Sequence, residues 1–138
     1  MIKKILIAFD ASEAAQKAFS CGLDLACKYM AEIVVVSVVR IAEPPEDVET
    51  EAAIESATEF FEKQFAILRN QAAARNIRSQ FLVRAGHPAD QIVLVASEEK
   101  VDVIVMGHRG RSRVSRWLLG SISKRVLSYA HCSVFIVR

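Results

Sequence analysis

Short apolar runs alternate with amphipathic stretches along the whole chain. Ile5-Leu6-Ile7-Ala8-Phe9 is continuously apolar and stops at Asp10, the pattern of a strand buried on both faces of a parallel sheet. Ser12 is placed to cap a helix, and Ala15, Ala18, Phe19, Gly22, Ala26 and Tyr29 then recur at helical spacing. Ile33 to Val39, Val101 to Met106 and Ser133 to Val137 are three further strand-like runs, and Arg78 to Arg84 is a weaker one, polar at both ends. A long helix lies between the second run and Arg78, with Ile54, Ala57, Phe61, Phe65, Leu68 and Ala72 as its buried stripe and Pro44-Pro45 marking the loop before it. Gly86-His87-Pro88 opens another helix, with Pro88 in its first turn and Ile92, Val93 and Ala96 facing inward. A last helix runs from about Gly120 to Ala130. The order β-α-β-α-β-α-β-α-β predicts an α/β fold of three layers and five strands, paired in parallel through right-handed crossovers. No repeat, low-complexity tract or linker divides the chain, which predicts one domain over residues 1–138.

Composition narrows this picture. With 138 residues, 52% apolar and 25% charged, the chain is long enough for one core without covalent staples. A net charge of +2 excludes a strongly basic nucleic-acid coat. The apolar runs fall far short of the ~20 residues of a membrane span. The run after Met1-Ile2-Lys3-Lys4 is too short for a signal-peptide core, so the cytoplasm is the expected location. Three cysteines (Cys21, Cys27, Cys132) cannot close a disulfide framework, and neither they nor His87, His108 and His131 have zinc-ligand spacing. The cysteines are expected to be reduced, small core residues. His87 reads as a turn residue, His131 as packed near the last strand, and Trp117 as a packing residue.

Charge is segregated. Residues 43–62 carry eight acidic side chains and no basic one, the mark of a solvated loop and helix face. After Asp102 there is no acidic residue, while Arg109, Arg111, Arg113, Arg116, Lys124, Arg125 and Arg138 remain. These cations coincide with glycines in Met106-Gly107-His108-Arg109-Gly110-Arg111-Ser112-Arg113, and Gly120-Ser121 then opens the last helix. Glycine reaches positive φ and lets a ligand approach the amides, and consecutive amides in a turn make a concavity for an anion. A helix N-terminus adds unpaired N–H groups and about half a positive charge. Two such elements facing one polyphosphate would make a phosphate site, the alternative being a tight turn with Gly120 merely capping a helix. Neither Gly-x-x-x-x-Gly-Lys-Ser/Thr nor Gly-x-Gly-x-x-Gly is present.

Gly107-x2-Gly110-x9-Gly120-Ser121 resembles the signature of the ATP-binding universal stress proteins. The resemblance spans nearly the whole chain. It includes Lys3 to Glu13 at the first strand and turn, Gly86-His87-Pro88-Ala89, Leu118 to Ser123, and Ala130 to Val137. It implies a Rossmann-like fold with strand order 3-2-1-4-5 and ATP at the carboxyl ends of the strands, where open α/β sheets bind ligands. By the same resemblance, Ala8 and Asp10 border the adenosine and Val38 meets the adenine. Met106, Gly107, His108, Arg109 and Gly110 lie by ribose and phosphates, and Gly120, Ser121 and Ile122 present amides to the phosphates. Mg²⁺ would be held by phosphate oxygens and water, with Asp10 reaching it at most through water. Asp10 has a second reading as a cap of the following helix.

The family pattern is not matched everywhere. Ala11 stands where glycine is frequent, Ser37 where histidine is, His108 where serine is usual, Arg113 where a small residue is common, and Ser133 in place of proline. The implied function is a nucleotide sensor in a stress response. It would act as a homodimer paired through strand 134–137, with an unknown protein partner and without nucleic acid. A slow ATP hydrolase and an interaction protein that has lost nucleotide are the alternatives.

Overall fold

A computed structural model of the chain describes residues 1–41, 47–109 and 119–138. Among these residues the elements run β1 (Lys4–Ala8), α1 (Glu13–Tyr29), β2 (Glu32–Arg40), α2 (Asp47–Ala74), β3 (Ser79–Gly86), α3 (Pro88–Glu98), β4 (Val103–Gly107), α4 (Ser121–Tyr129) and β5 (Ser133–Val137). The five strands form one all-parallel sheet in the order β3-β2-β1-β4-β5, the Rossmann-like arrangement expected. The loop at Pro44-Pro45 lies outside the described residues.

β1 is central because both of its faces are apolar. Ile5, Ile7 and Phe9 pack with α1 and α2, while Leu6 and Ala8 pack with α3 and α4. Each large side chain removed fully from water contributes roughly 1.5–3 kcal/mol, so a strand of this kind belongs in the middle of the sheet. β3 reads weakly in the sequence because it is an edge strand with half-buried positions.

α1 starts at Ser12, whose Oγ accepts from the Ala15 amide at 3.1 Å, and ends where Met30 turns left-handed at φ 55°. Its stripe differs from the expected one at two positions. Leu23 is buried, and Tyr29, the last helical residue before that turn, is exposed. In α3, Val95 is fully buried and Val93 only partly. The cysteines are free but are not core residues. Cys27 is exposed on α1, and Cys21 and Cys132 are half-buried. His131 is exposed rather than packed.

The upper rim of the sheet is stepped. β1 ends at Ala8 opposite Val36, but β2 runs four residues further to Arg40, paired with β3 as far as Gly86. At ~3.3 Å per residue the β2–β3 pair overhangs β1 by about 13 Å. At the opposite end, the Asp102 carboxylate accepts from the amides of Lys3 (2.7 Å) and Lys4 (3.0 Å). Lys4 Nζ meets Glu99 at 3.0 Å beside it.

Candidate functional site

The step in the rim makes a cavity of about 740 Å³ at the carboxyl ends of the strands. Ala8, Met106 and Gly107, on the ends of β1 and β4, and Asp10, in the turn after β1, line its floor. Val38, Val39 and Arg40 line the overhang, and α2 closes one side with Thr50, Ala53, Ile54, Ala57 and Phe61. Arg109 and the start of α4, Gly120 to Ser123, border it as well.

Nine expected site residues therefore meet around one space: Ala8, Asp10, Val38, Met106, Gly107, Arg109, Gly120, Ser121 and Ile122. Gly110 lies outside the described residues, as do Arg111, Arg113, Arg116 and Trp117. His108 does not line the cavity. It is buried, its backbone N–H donates to Val137 O at 2.8 Å, and its side-chain Nε2 has no hydrogen-bond partner. Burial, then the charges of Arg138 and Arg109, hold its imidazole below the usual range, which favours the neutral form.

Asp10 holds the first turn. Its Oδ1 accepts from the Ser12 amide at 2.9 Å, while Ser12 itself caps α1. Asp10 thus shapes the turn before the cap and still lines the cavity. The turn passes through Ala11 at φ 66°, a left-handed conformation that glycine adopts without cost. Ser37, fully buried, is structural: its Oγ donates to Phe9 O at 2.5 Å and ties the end of β1 to β2.

The start of α4 is a polar part of the wall. Gly120 is its N-cap and supplies no side chain, and the first turn carries no acidic residue. By contrast, α1 has Ser12 and Glu13 at its start, and α3 has Asp90. The first hydrogen bond within the helix runs from Lys124 N to Gly120 O (3.1 Å). The amides of Ser121, Ile122 and Ser123 precede it and have no acceptor in the helix. Among the described residues none accepts from these amides outside the helix, so this end of α4 presents open donors and the positive end of a helix dipole at the cavity.

The two described glycines here do not serve positive φ. Gly120 is extended (φ −63°, ψ 158°). At Gly107 a Cβ would lie 2.8 Å from Ala14 Cβ and 3.0 Å from Ala14 C, so close packing of α1 excludes any side chain. Among the described residues a Cβ at Gly120 would meet only ordinary contacts, Arg109 Cα and His108 O at 3.6 Å. The described residues make no demand for glycine at 120, and that position borders the cavity.

Several lining residues escaped the sequence reading. Ile54 and Ala57 read as core stripe, but they lie on turns of α2 upstream of its fully covered section and are only half-buried. Ser123 is 3% exposed and its Oγ reaches Gly107 O (3.1 Å) and His108 O (3.2 Å). Its only signal in the sequence is its place in the first turn after Gly120. Among the described residues no group of three or more His, Cys, Asp or Glu is assembled for a metal, and no helix is long and apolar enough to cross a membrane.

The model of the universal stress protein family matches residues 1–138. A universal stress protein of Thermus aquaticus, encoded in the QAH/OAS sulfhydrylase 3' region, is 35% identical over 140 residues covering all of both chains. Universal stress protein YxiE of Bacillus subtilis is 31% identical, again over all of both chains. Among solved structures, UspA from Lactobacillus plantarum superposes with a TM-score of 0.85 at 22% identity, over 99% of this chain and 98% of that one. Two others hold nucleotides. One is a universal stress protein in complex with cAMP (TM-score 0.71, 22% identity, 99% and 97% covered). The second is the Archaeoglobus fulgidus protein in complex with dAMP (TM-score 0.69, 20% identity, 100% and 98% covered). With a family model spanning every residue and full-length relatives above 30% identity, the chain belongs to the universal stress protein family.

Proposed function

We propose that this chain is an ATP-binding member of the family, a nucleotide sensor built as one domain over residues 1–138 and working as a homodimer in the cytoplasm. The observation that carries the proposal is the uncapped start of α4, with its open amides and side-chain-free Gly120, bordering a cavity of nucleotide size. The cAMP and dAMP bound by two structural neighbours support an adenine nucleotide as the occupant.

The adenine rests against Val38 and the apolar wall of Ile54 and Ala57. Asp10 stands at the ribose. The phosphates lie over Met106, Gly107 and Gly110 and take hydrogen bonds from the amides of Gly120, Ser121 and Ile122 and from the Ser121 hydroxyl. Gly120 N already donates to His108 O at 3.2 Å, so Ser121 and Ile122 supply the freer donors. Arg109 raises the potential around the phosphates. His108 acts behind the site, since its side chain does not line it. Mg²⁺, if bound, would neutralise phosphate charge and would be held by phosphate oxygens, with Asp10 the carboxylate that could reach it through water.

β5 is an edge strand with Phe135 44% exposed, and a second copy pairing with strand 134–137 would cover it. A nucleotide-dependent surface would then serve a protein partner.

Calorimetric titration with ATP tests the site. The unaltered protein is expected to bind one ATP per chain, and Gly120→Val is expected to abolish binding with the circular dichroism spectrum unchanged. Unchanged affinity in a natively folded Gly120→Val protein overturns the cradle. Single-turnover incubation with ATP separates binding from slow hydrolysis.

A further inference from the structure

Within the phosphate site proposed above, on which this inference rests, we propose that Ser123 is the positioning residue that holds the open amides of Ser121 and Ile122 toward the phosphates of a nucleoside polyphosphate. Helix starts are normally fixed by a side chain at the cap position, and α4 has none. At only nine residues it is also too short to be stable by itself. Its start is instead tied to the end of β4. Gly120 N donates to His108 O at 3.2 Å, and the Ser123 hydroxyl spans Gly107 O at 3.1 Å and His108 O at 3.2 Å. His108 is itself anchored, through its backbone N–H, to Val137 O at 2.8 Å.

This lashing differs from a cap in its consequence. A cap side chain would accept from the first-turn amides and consume the donors a phosphate needs. Ser123 fixes the same turn by donating to carbonyls of another strand, which leaves those amides open. Its single hydroxyl proton is shared between two carbonyl oxygens, so it has none to give a phosphate. Ser123 thus acts through Ser121 and Ile122 and is distinct from a phosphate ligand. It is 3% exposed and forms part of the cavity wall, so its contacts are shielded from competing water.

Binding of ATP and of adenosine, compared in the unaltered protein, Ser123→Ala and Ser123→Thr, tests the assignment. Losing one lashing hydrogen bond corresponds to about tenfold in affinity. Ser123→Ala is therefore expected to bind ATP about tenfold more weakly and adenosine within about twofold, and Ser123→Thr, which keeps the hydroxyl, to recover ATP affinity. Without ligand, the Lys124 amide, donor of the first bond within α4, is expected to exchange its hydrogen faster in Ser123→Ala. Equal loss of ATP and adenosine affinity, an unchanged ATP affinity, or unchanged Lys124 exchange overturns the positioning role. If Ser123→Ala does not fold, Ser123→Cys, similar in size with a weak donor, replaces it under the same criteria. An unaltered protein that binds adenosine but gains nothing from the phosphates overturns the phosphate site, and this role with it.

Discussion

Two small residues show what single positions contribute. Ala11 holds a left-handed conformation (φ 66°) that costs an ordinary residue roughly 1–2 kcal/mol. Glycine removes that strain and gives back part of the gain through the freer unfolded chain. Ala11→Gly is therefore expected to stabilise the protein by up to about 1 kcal/mol, read as a higher urea midpoint at unchanged slope. A lower midpoint would show that the turn needs the methyl group. Gly120 is the converse case, a glycine in a conformation open to any residue, where a Cβ would meet only ordinary contacts among the described residues. The spacing of glycines singled out both Gly107 and Gly120, but their reasons are unlike. Packing of Ala14 against Gly107 joins positions over ninety residues apart, and no local pattern reveals it.

At the scale of elements, β1 and β4 were readable because they are buried on both faces, so continuous apolar runs mark them. β3 and the first turns of α2 were less so, because partial cover mixes polar and apolar positions. The sequence placed Ile54 and Ala57 in the core because a helical stripe carries no mark of where the sheet beneath it ends. It also carried no sign of the overhang of β2 and β3, which depends on register between strands. The lower end of the sheet gives a pH test. Hydrogen bonds from the Lys3 amide, and then from the Lys4 amide, hold the Asp102 carboxyl below the usual range. A carboxyl with a depressed folded pKa contributes stability above its unfolded value, near ~3.9, and loses it as pH falls through the folded value. Glu99, held down chiefly by its hydrogen bond with Lys4, acts in the same sense. Urea midpoints measured from pH 7 down to pH 2 are expected to fall on the acid limb, and Asp102→Asn to flatten that limb while lowering the midpoint at pH 7. Parallel acid limbs in the two proteins would remove Asp102 from the account.

For the whole molecule, five parallel strands in the order β3-β2-β1-β4-β5 place a cavity above the central strand and leave β5 at an edge. If β5 is the contact between copies, light scattering at tens of micromolar gives a dimer, and Phe135→Lys, which puts a charge on that edge, gives a monomer. A monomeric unaltered protein contradicts this assembly. The central claim is that main-chain amides at the start of α4 grip the phosphates of ATP above β1 and β4. A crystal structure of the protein soaked with ATP measures it most directly. The expected result is phosphate density within hydrogen-bond distance of the Ser121 and Ile122 amides, with the base beside Val38. An empty cavity, or a nucleotide whose phosphates point away from α4, would contradict it.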